Sequence, residues 1–171
     1  MINAFAHFWN LCIFRGSPVH VPSDNNAIAV LVLLIIGLSF LEALMLAGSG
    51  MWTFFAATMI VNVVVLSAFF FALQLRGVAV RFRKTLASYL GTLAITKALT
   101  TLVIWLSADN EVSGFLVAGF SIWRFAVTGF ILKHSLEISL LVGTLIAFAC
   151  FVFGSLVVVV IFPSIFAPVA Q

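Results

Sequence analysis

Three ionisable side chains lie inside long apolar stretches of this sequence: Glu42, Lys97 and Arg124. A charge at the centre of a membrane-spanning helix costs at least about 2.5–3.5 kcal/mol unless a partner compensates it. Lys97 and Arg124 lie near the middle of their stretches, and Glu42 lies about four turns into its own. We therefore expect Glu42 to pair with one of the two bases inside a bundle. The other cation then requires backbone carbonyls, hydroxyls, water or an anion.

Polar side chains that could accompany these charges recur at helical spacing. Hydroxyl residues appear every three or four positions around Lys97, and an asparagine lies in a neighbouring stretch. We predict an intramembrane polar network of Glu42, Asn62, Thr96, Lys97, Thr100 and Arg124. One interpretation is a small cavity that binds an anionic group. The other is structural, because interhelical hydrogen bonds in membranes add about 0.6 kcal/mol each and fix helix register.

The elements that must position these residues follow from composition. Of the 171 residues, 64% are hydrophobic and 8% are charged, whereas a soluble domain carries about 25% charged residues. This excludes a soluble globular enzyme. The first apolar stretch alone is about 33 Å of helix, enough for a hydrocarbon core of about 30 Å. We predict five membrane-spanning helices, at residues 27–48, 51–74, 86–107, 114–132 and 138–162.

The chain is thus predicted to be an all-α integral membrane protein, with a five-transmembrane-helix bundle over residues 27–171. Of its eight Lys and Arg residues, two lie within the predicted spans and six lie outside. All six fall on one side if the N-terminus is cytoplasmic, which is the orientation that the positive-inside rule favours. The opposite side has a glycine turn and the acidic loop with Asp109. An N-in, C-out orientation follows.

Residues 1–26 are predicted to be a cytoplasmic interfacial segment. Phe5, Phe8, Trp9 and Cys12 share one helix face, which favours a short helix on the cytoplasmic leaflet; a disordered tail is the alternative. The stretch lacks the basic start and cleavage site of a signal peptide. Asp24 or its neighbour Ser23 is expected to cap the first span.

A basic cluster occupies the longest predicted loop: Arg76, Arg81, Arg83 and Lys84. It is typical of an anchor at an anionic leaflet, although a docking site for a soluble partner is a second interpretation. The formal net charge of +3 is a topology signal in such a chain and does not indicate nucleic-acid binding.

Residues for catalysis or metal binding are not arranged in any specific pattern. No acid pair, no serine with a nearby base and no glycine-rich phosphate loop is present. The candidate soft-metal ligands lack the spacing of a site; they are His7, Cys12, His20 and His134. We expect no catalytic residue, no metal and no cofactor.

Two segments resemble small bacterial inner-membrane proteins of the Yip1-domain type: Phe14–Ser23 (FRGSPVHVPS) and Ile122–Leu136 (IWRFAVTGFILKHSL). The resemblance implies five membrane helices, a cytoplasmic N-terminus and a multi-pass protein of the bacterial inner membrane. Eukaryotic members act in vesicle traffic with small GTPases, but this chain lacks their long acidic N-terminal region. Arg124 stands where the family pattern has a less polar residue, so the resemblance assigns it no role.

Three functions remain open from the sequence. The favoured one is a non-enzymatic accessory, assembly or regulatory subunit that packs against a larger membrane complex. The alternative is a small transporter or channel for an ion or small anion, using Glu42, Lys97 and Arg124. A lipid-modifying enzyme is the third, without an acid–base pair to support it.

The expected partners are the lipid bilayer and other integral membrane proteins, and self-association into a homo-oligomer is open. Aromatic side chains carry much of the energy in protein contacts. The candidate partner-facing, lipid-exposed residues are Phe54, Phe55, Phe69, Phe70, Phe71, Phe148, Phe151 and Phe153.

Overall fold

The computed structural model describes residues 2–18, 21, 23–106 and 111–163. Within these ranges the chain is helical and contains no strand. The six α-helices are α1 (Ile2–Cys12), α2 (Asn25–Leu46), α3 (Met51–Leu75), α4 (Phe82–Leu106), α5 (Glu111–Leu136) and α6 (Leu140–Ile161). Two short 3-10 turns, Gly48–Gly50 and Ala79–Arg81, lead into α3 and α4. The predicted loop residue Asp109 and residues 164–171 lie outside the described residues.

Five of the helices, α2 to α6, are long and apolar enough to cross a membrane. The prediction of an all-helical chain with five such helices is confirmed. The observed ends differ from the predicted ones by up to about four residues. For example, α4 begins at Phe82 and α5 continues to Leu136. Hydropathy marks the apolar part of a helix, whereas these helices continue through residues such as Arg83 and Lys133, whose charged ends can extend to water.

Two of the long helices begin at side-chain caps. The Asp24 carboxylate accepts a hydrogen bond of 3.2 Å from the Ala27 amide at the start of α2. The Ser139 hydroxyl accepts one of 3.3 Å from the Val142 amide at the start of α6. Each cap satisfies an amide that has no partner within its own helix. Of the two residues predicted to cap the first span, Asp24 is the one that does so.

The five long helices pack side by side in a ring, in the order α3, α2, α4, α5, α6, with α6 returning to α3. The connections are short, so consecutive helices run antiparallel, and α2 therefore runs parallel to its neighbour α4. We call the end where α2, α4 and α6 begin the basic end, because Arg81 and Arg83 lie there. Near this end the interior is filled by Phe69 of α3, whose ring meets that of Tyr89 of α4 edge-on at 5.3 Å.

The closest helix approach joins α5 and α6. A Cβ atom built on Gly129 would overlap Thr144, and one built on Gly143 would overlap the Gly129 carbonyl. Only glycine allows two backbones to approach in this way, as is common between membrane helices. Gly143 and Ala147, one turn apart on α6, are both buried, so these small residues pack within the chain.

The outer surface of the ring is apolar. Side chains such as Leu33, Leu141 and Val160 are 67%, 69% and 81% exposed. Water would be an unfavourable neighbour for so large an apolar surface, whereas hydrocarbon would not. The backbone is paired within the helices, as a lipid environment demands. Both features fit a multi-pass membrane protein.

Helix α1 packs against α4 and α5 on the outside of the ring. It buries Phe8, Leu11 and Cys12 against them, whereas Phe5 and Trp9 stay exposed. Of the four residues predicted to share one face of this helix, two are therefore buried against the bundle and two are exposed. The indole Nε1 of Trp123 donates a hydrogen bond of 2.9 Å to the Cys12 carbonyl, which fixes the end of α1 to α5.

Candidate functional site

Glu42 and Lys97 form an ion pair inside the bundle. The Lys97 ammonium donates to the Glu42 carboxylate oxygen Oε2. The Thr101 hydroxyl donates a hydrogen bond of 3.3 Å to the other carboxylate oxygen, Oε1. All three residues are buried. Of the two bases considered from the sequence, Lys97 is therefore the one that pairs with Glu42.

Arg124 is the remaining cation. Its guanidinium carbon lies 5.2 Å from the centre of the Phe151 ring and 5.7 Å from that of Phe125. Among the described residues, no carboxylate forms an ion pair with it. It is half-buried and lies about 18 Å along α5 from the basic end. The guanidinium therefore rests against aromatic rings and is not paired with a carboxylate within this part of the chain.

A small polar cavity of about 90 Å³ connects the ion pair to Arg124. It is well above the roughly 10–15 Å³ that one water molecule needs, so it has room for a few waters or one small inorganic ion. Helices α2, α4 and α5 supply its walls. The lining residues are Glu42, Thr96, Lys97, Thr100, Phe120, Ser121 and Arg124.

The hydroxyl groups of this cavity already donate to their own helices. Thr96 donates to the Leu93 carbonyl at 3.1 Å and Thr100 to the Thr96 carbonyl at 2.9 Å. Ser121 donates to the Val117 carbonyl at 2.8 Å. Their oxygens are therefore left as acceptors, and the N–H groups of Lys97 and Arg124 are the donors that a bound species would meet.

The sequence-predicted network is gathered except for Asn62. That residue does not line the cavity, and its Nδ2 is buried without a hydrogen-bond partner among the described residues. Sequence reasoning missed Thr101, Ser121 and Phe120. Thr101 could have been found, because it lies four residues after Lys97 and hence on the same helix face. Ser121 and Phe120 carry no comparable signal.

The basic cluster is divided between contacts and open surface. Arg81 pairs with Glu137 at 2.6 Å. Arg83 donates to the Asn25 side-chain oxygen at 2.6 Å and to the Ser23 carbonyl at 3.1 Å. These contacts join the start of α4 to the start of α2 and the end of α5. Arg76 and Lys84 are exposed.

A second, larger cavity is an apolar groove of about 700 Å³ between α1, α2 and α4. The ring of Phe8 fills the space beside Gly91, where an added Cβ would overlap the ring. Burial beside this contact raises the pKa of the Cys12 thiol to about 12. No sequence pattern pointed to this groove, because it depends on where α1 docks.

The proposed aromatic contact set is only partly on the surface. Phe70, Phe71, Phe148 and Phe153 are exposed. Phe54, Phe55 and Phe151 are half-buried. Phe69 is 1% exposed, so its expected exposure is wrong: its ring packs on Tyr89 in the interior.

Neither a metal site nor a relative identifies the chain. Among the described residues, no group of three or more His, Cys, Asp or Glu side chains could hold a metal ion. No protein-family model, curated protein or solved structure matches the chain. The polar cavity and the groove are therefore the features of the molecule that bear on its function.

Proposed function

We propose that this chain is a non-enzymatic, multi-pass protein of the bacterial inner membrane, with its basic end in the cytoplasm, and that its polar cavity binds a small anion. The orientation rests on the positive-inside rule. Six Lys and Arg residues lie outside the predicted spans, and the contacts of Arg81 and Arg83 keep two of them at the basic end. The resemblance to Yip1-domain proteins implies the same orientation.

The orientation predicts the behaviour of reporter fusions. A reporter joined after Lys84 should lie in the cytoplasm, and one joined after Gln171 should lie outside it, because five spans place these points on opposite sides. Alkaline phosphatase and a fluorescent protein, fused in turn at each position, measure this. Cytoplasmic activity after Gln171 would contradict the combination of five spans and a cytoplasmic N-terminus.

In this orientation α1 lies in the cytoplasmic leaflet, alongside the bundle. Phe8 contacts Gly91, which is about 14 Å along α4 from the basic end. That depth is below the headgroups, in a hydrocarbon core of about 30 Å. The exposed rings of Phe5 and Trp9, stacked at 6.4 Å, then face lipid. The interfacial segment is accordingly proposed to be a helix held against α4 and α5.

The anion proposal rests on one observation: Arg124 lines a polar cavity and has no acidic partner among the described residues. A cation at this depth costs at least about 2.5–3.5 kcal/mol. Contact with the Phe125 and Phe151 rings stabilises the guanidinium by up to about 2 kcal/mol. Because Glu42 is already paired with Lys97, an anion is the species that would offset the remainder.

The cavity favours a small inorganic anion such as chloride. Its volume of about 90 Å³ leaves little space for an organic acid. Arg124 and Lys97 offer N–H donors, whereas the hydroxyl oxygens of Thr96 and Thr100 act as acceptors. Two turns closer to the basic end, the interior is occupied by Tyr89 and Phe69. This arrangement fits a binding site better than an open pore.

An anion-dependent stability measurement tests the site. At equal ionic strength, replacing sodium gluconate by sodium chloride should stabilise the purified protein, by about 2.7 kcal/mol at a concentration 100 times the Kd. The variant Arg124→Gln should lose this response. Arg76→Gln is the matched control, since it removes one exposed cation outside the cavity. Unfolding is followed by circular dichroism in a mild detergent.

Equal responses of Arg124→Gln and the unaltered protein would refute the anion site. Where the response is present, chloride flux into liposomes containing the purified protein separates transport from static binding. An absent response together with copurification of a second membrane protein would favour the accessory function instead.

A separate observation supports the accessory-subunit function. The half of α5 that lies away from the basic end is exposed on several sides, with Phe115 at 82% and Ile122 at 71%. Aromatic and aliphatic side chains of this kind can contact a helix of another membrane protein as readily as lipid. This surface, together with exposed Phe148 and Phe153 of α6, is where a partner would pack.

A further inference from the structure

The apolar groove has two walls and a partial cover. Its walls are α2 and α4, and α1 lies across it through Phe5, Phe8 and Trp9. The walls contribute mainly aliphatic side chains and small residues, among them Ala94 and Ala98 of α4. Several of these residues, including Val30 and Ala98, are exposed. A groove of about 700 Å³ is large enough to hold a flexible apolar chain.

The length of the groove matches one leaflet of a bilayer. Along α2 its apolar lining runs from Ala27 to Leu38, a distance of about 16 Å at 1.5 Å per residue. Half of a hydrocarbon core of about 30 Å is about 15 Å. A transmembrane helix of a partner would need contact over the full thickness, whereas the lining covers about 16 Å of α2 and, from Gly91 to Leu99, about 12 Å of α4. This length favours an acyl chain.

The groove opens among polar groups at the basic end. Asp24 and Asn26 line it there, and both are exposed. The residues on either side of Asp24, Ser23 and Asn25, hold the guanidinium of Arg83 through its Nη2. The other N–H groups of Arg83 remain for a phosphate, because a guanidinium has five donors. A carboxylate thus lies at the opening, and a cation is held beside it by the two neighbouring residues.

We infer that this groove is a phospholipid site: one acyl chain lies between α2 and α4 beneath α1, and the headgroup sits at the opening. Arg83 binds the phosphate. Asp24 faces an ammonium group, so an ethanolamine headgroup suits the opening better than glycerol, which carries no charge. The site is separate from the polar cavity, and it does not depend on anion binding.

Native mass spectrometry of the full chain, extracted in mild detergent and exchanged into phosphatidylethanolamine nanodiscs, tests this site. The released protein should carry one bound phospholipid. Ala98→Phe places a ring in the groove and should reduce the bound fraction about tenfold. Ala149→Phe is the matched control, because Ala149 is also exposed on a long helix but lies outside the groove.

The headgroup is tested with competing lipids. In mixed nanodiscs, the unaltered protein should retain phosphatidylethanolamine in preference to phosphatidylglycerol, and Arg83→Gln should lower retention of both. Lys84→Gln, which removes the neighbouring exposed cation, should not. Equal retention of phospholipid by Ala98→Phe and Ala149→Phe would overturn the proposal. The absence of bound phospholipid from every form of the protein would also overturn it. Release of a copurifying protein by Ala98→Phe would do so as well, since it would assign the groove to a partner helix.

Discussion

Replacing Glu42 by alanine should destabilise the protein by about 3–5 kcal/mol, because it leaves the Lys97 ammonium buried without its counter-charge. The same change removes the acceptor of the Thr101 hydroxyl. The double variant Glu42→Leu with Lys97→Met should recover most of the loss, since removing both charges leaves no buried ion. Equilibrium unfolding in mixed detergent micelles, followed by circular dichroism, measures all three proteins.

An exposed pair of the same chemistry is the control. Glu137 and Arg81 also form an ion pair, but their side chains are 71% and 46% exposed. Glu137→Ala should therefore cost at most about 1 kcal/mol. If the single and double changes at Glu42 and Lys97 were equally harmful, packing around the side chains, and not the stranded charge, would explain the loss.

The anion proposal adds a second expectation for the same variant. Without Glu42, two cations, Lys97 and Arg124, line the cavity. The loss of stability in Glu42→Ala should then be smaller in chloride than in gluconate. If the Glu42–Lys97 pair served only to fix the helix register, the loss of stability would not depend on the anion. The two interpretations of the polar network thus make different predictions for one protein.

The sequence was most informative where the energies are large. Burying Glu42, Lys97 or Arg124 in lipid is so unfavourable that their meeting inside the bundle could be predicted from composition and spacing alone. The five helices followed for the same reason, since a long apolar stretch has few other stable environments. Their ends were less certain, because charged residues such as Arg83 continue a helix beyond its apolar part.

The neighbours of each helix could not be predicted in this way. Lipid tails are as apolar as leucine, so hydropathy does not separate residues that face lipid from those that face another helix. Phe69 and Phe71 are alike in sequence terms, yet one is 1% and the other 61% exposed. Asn62 was assigned to the network from its polarity, but its helix, α3, does not reach the cavity. The groove could not be predicted from the sequence, because it depends on the docking of α1, through Phe8, against Gly91 of α4.

That docking contact gives the largest expected effect on reactivity. Gly91→Val places a side chain where the Phe8 ring lies, so α1 should leave α4 and expose Cys12. Burial raises the pKa of the Cys12 thiol to about 12 from an ordinary 9.0, and the thiolate is the form that reacts with maleimide. At pH 8 the released thiol should therefore react about a thousandfold faster. Mass spectrometry follows the labelling, in a Cys150→Ser background that leaves Cys12 as the target.

Two further proteins separate undocking from unfolding. Gly119→Val is the control, because nothing lies within 4 Å of a Cβ at that position, and its labelling should match that of the unaltered protein. Phe8→Ala combined with Gly91→Val restores space at the contact, so Cys12 should again be slow to react. The pH dependence also differs: because burial raises the pKa of docked Cys12, its labelling should still be rising at pH 9, whereas that of the released thiol should level off near its ordinary pKa. Fast labelling in the unaltered protein would mean that α1 is not held against α4 and α5, and the Trp123 hydrogen bond to the Cys12 carbonyl would then fix nothing.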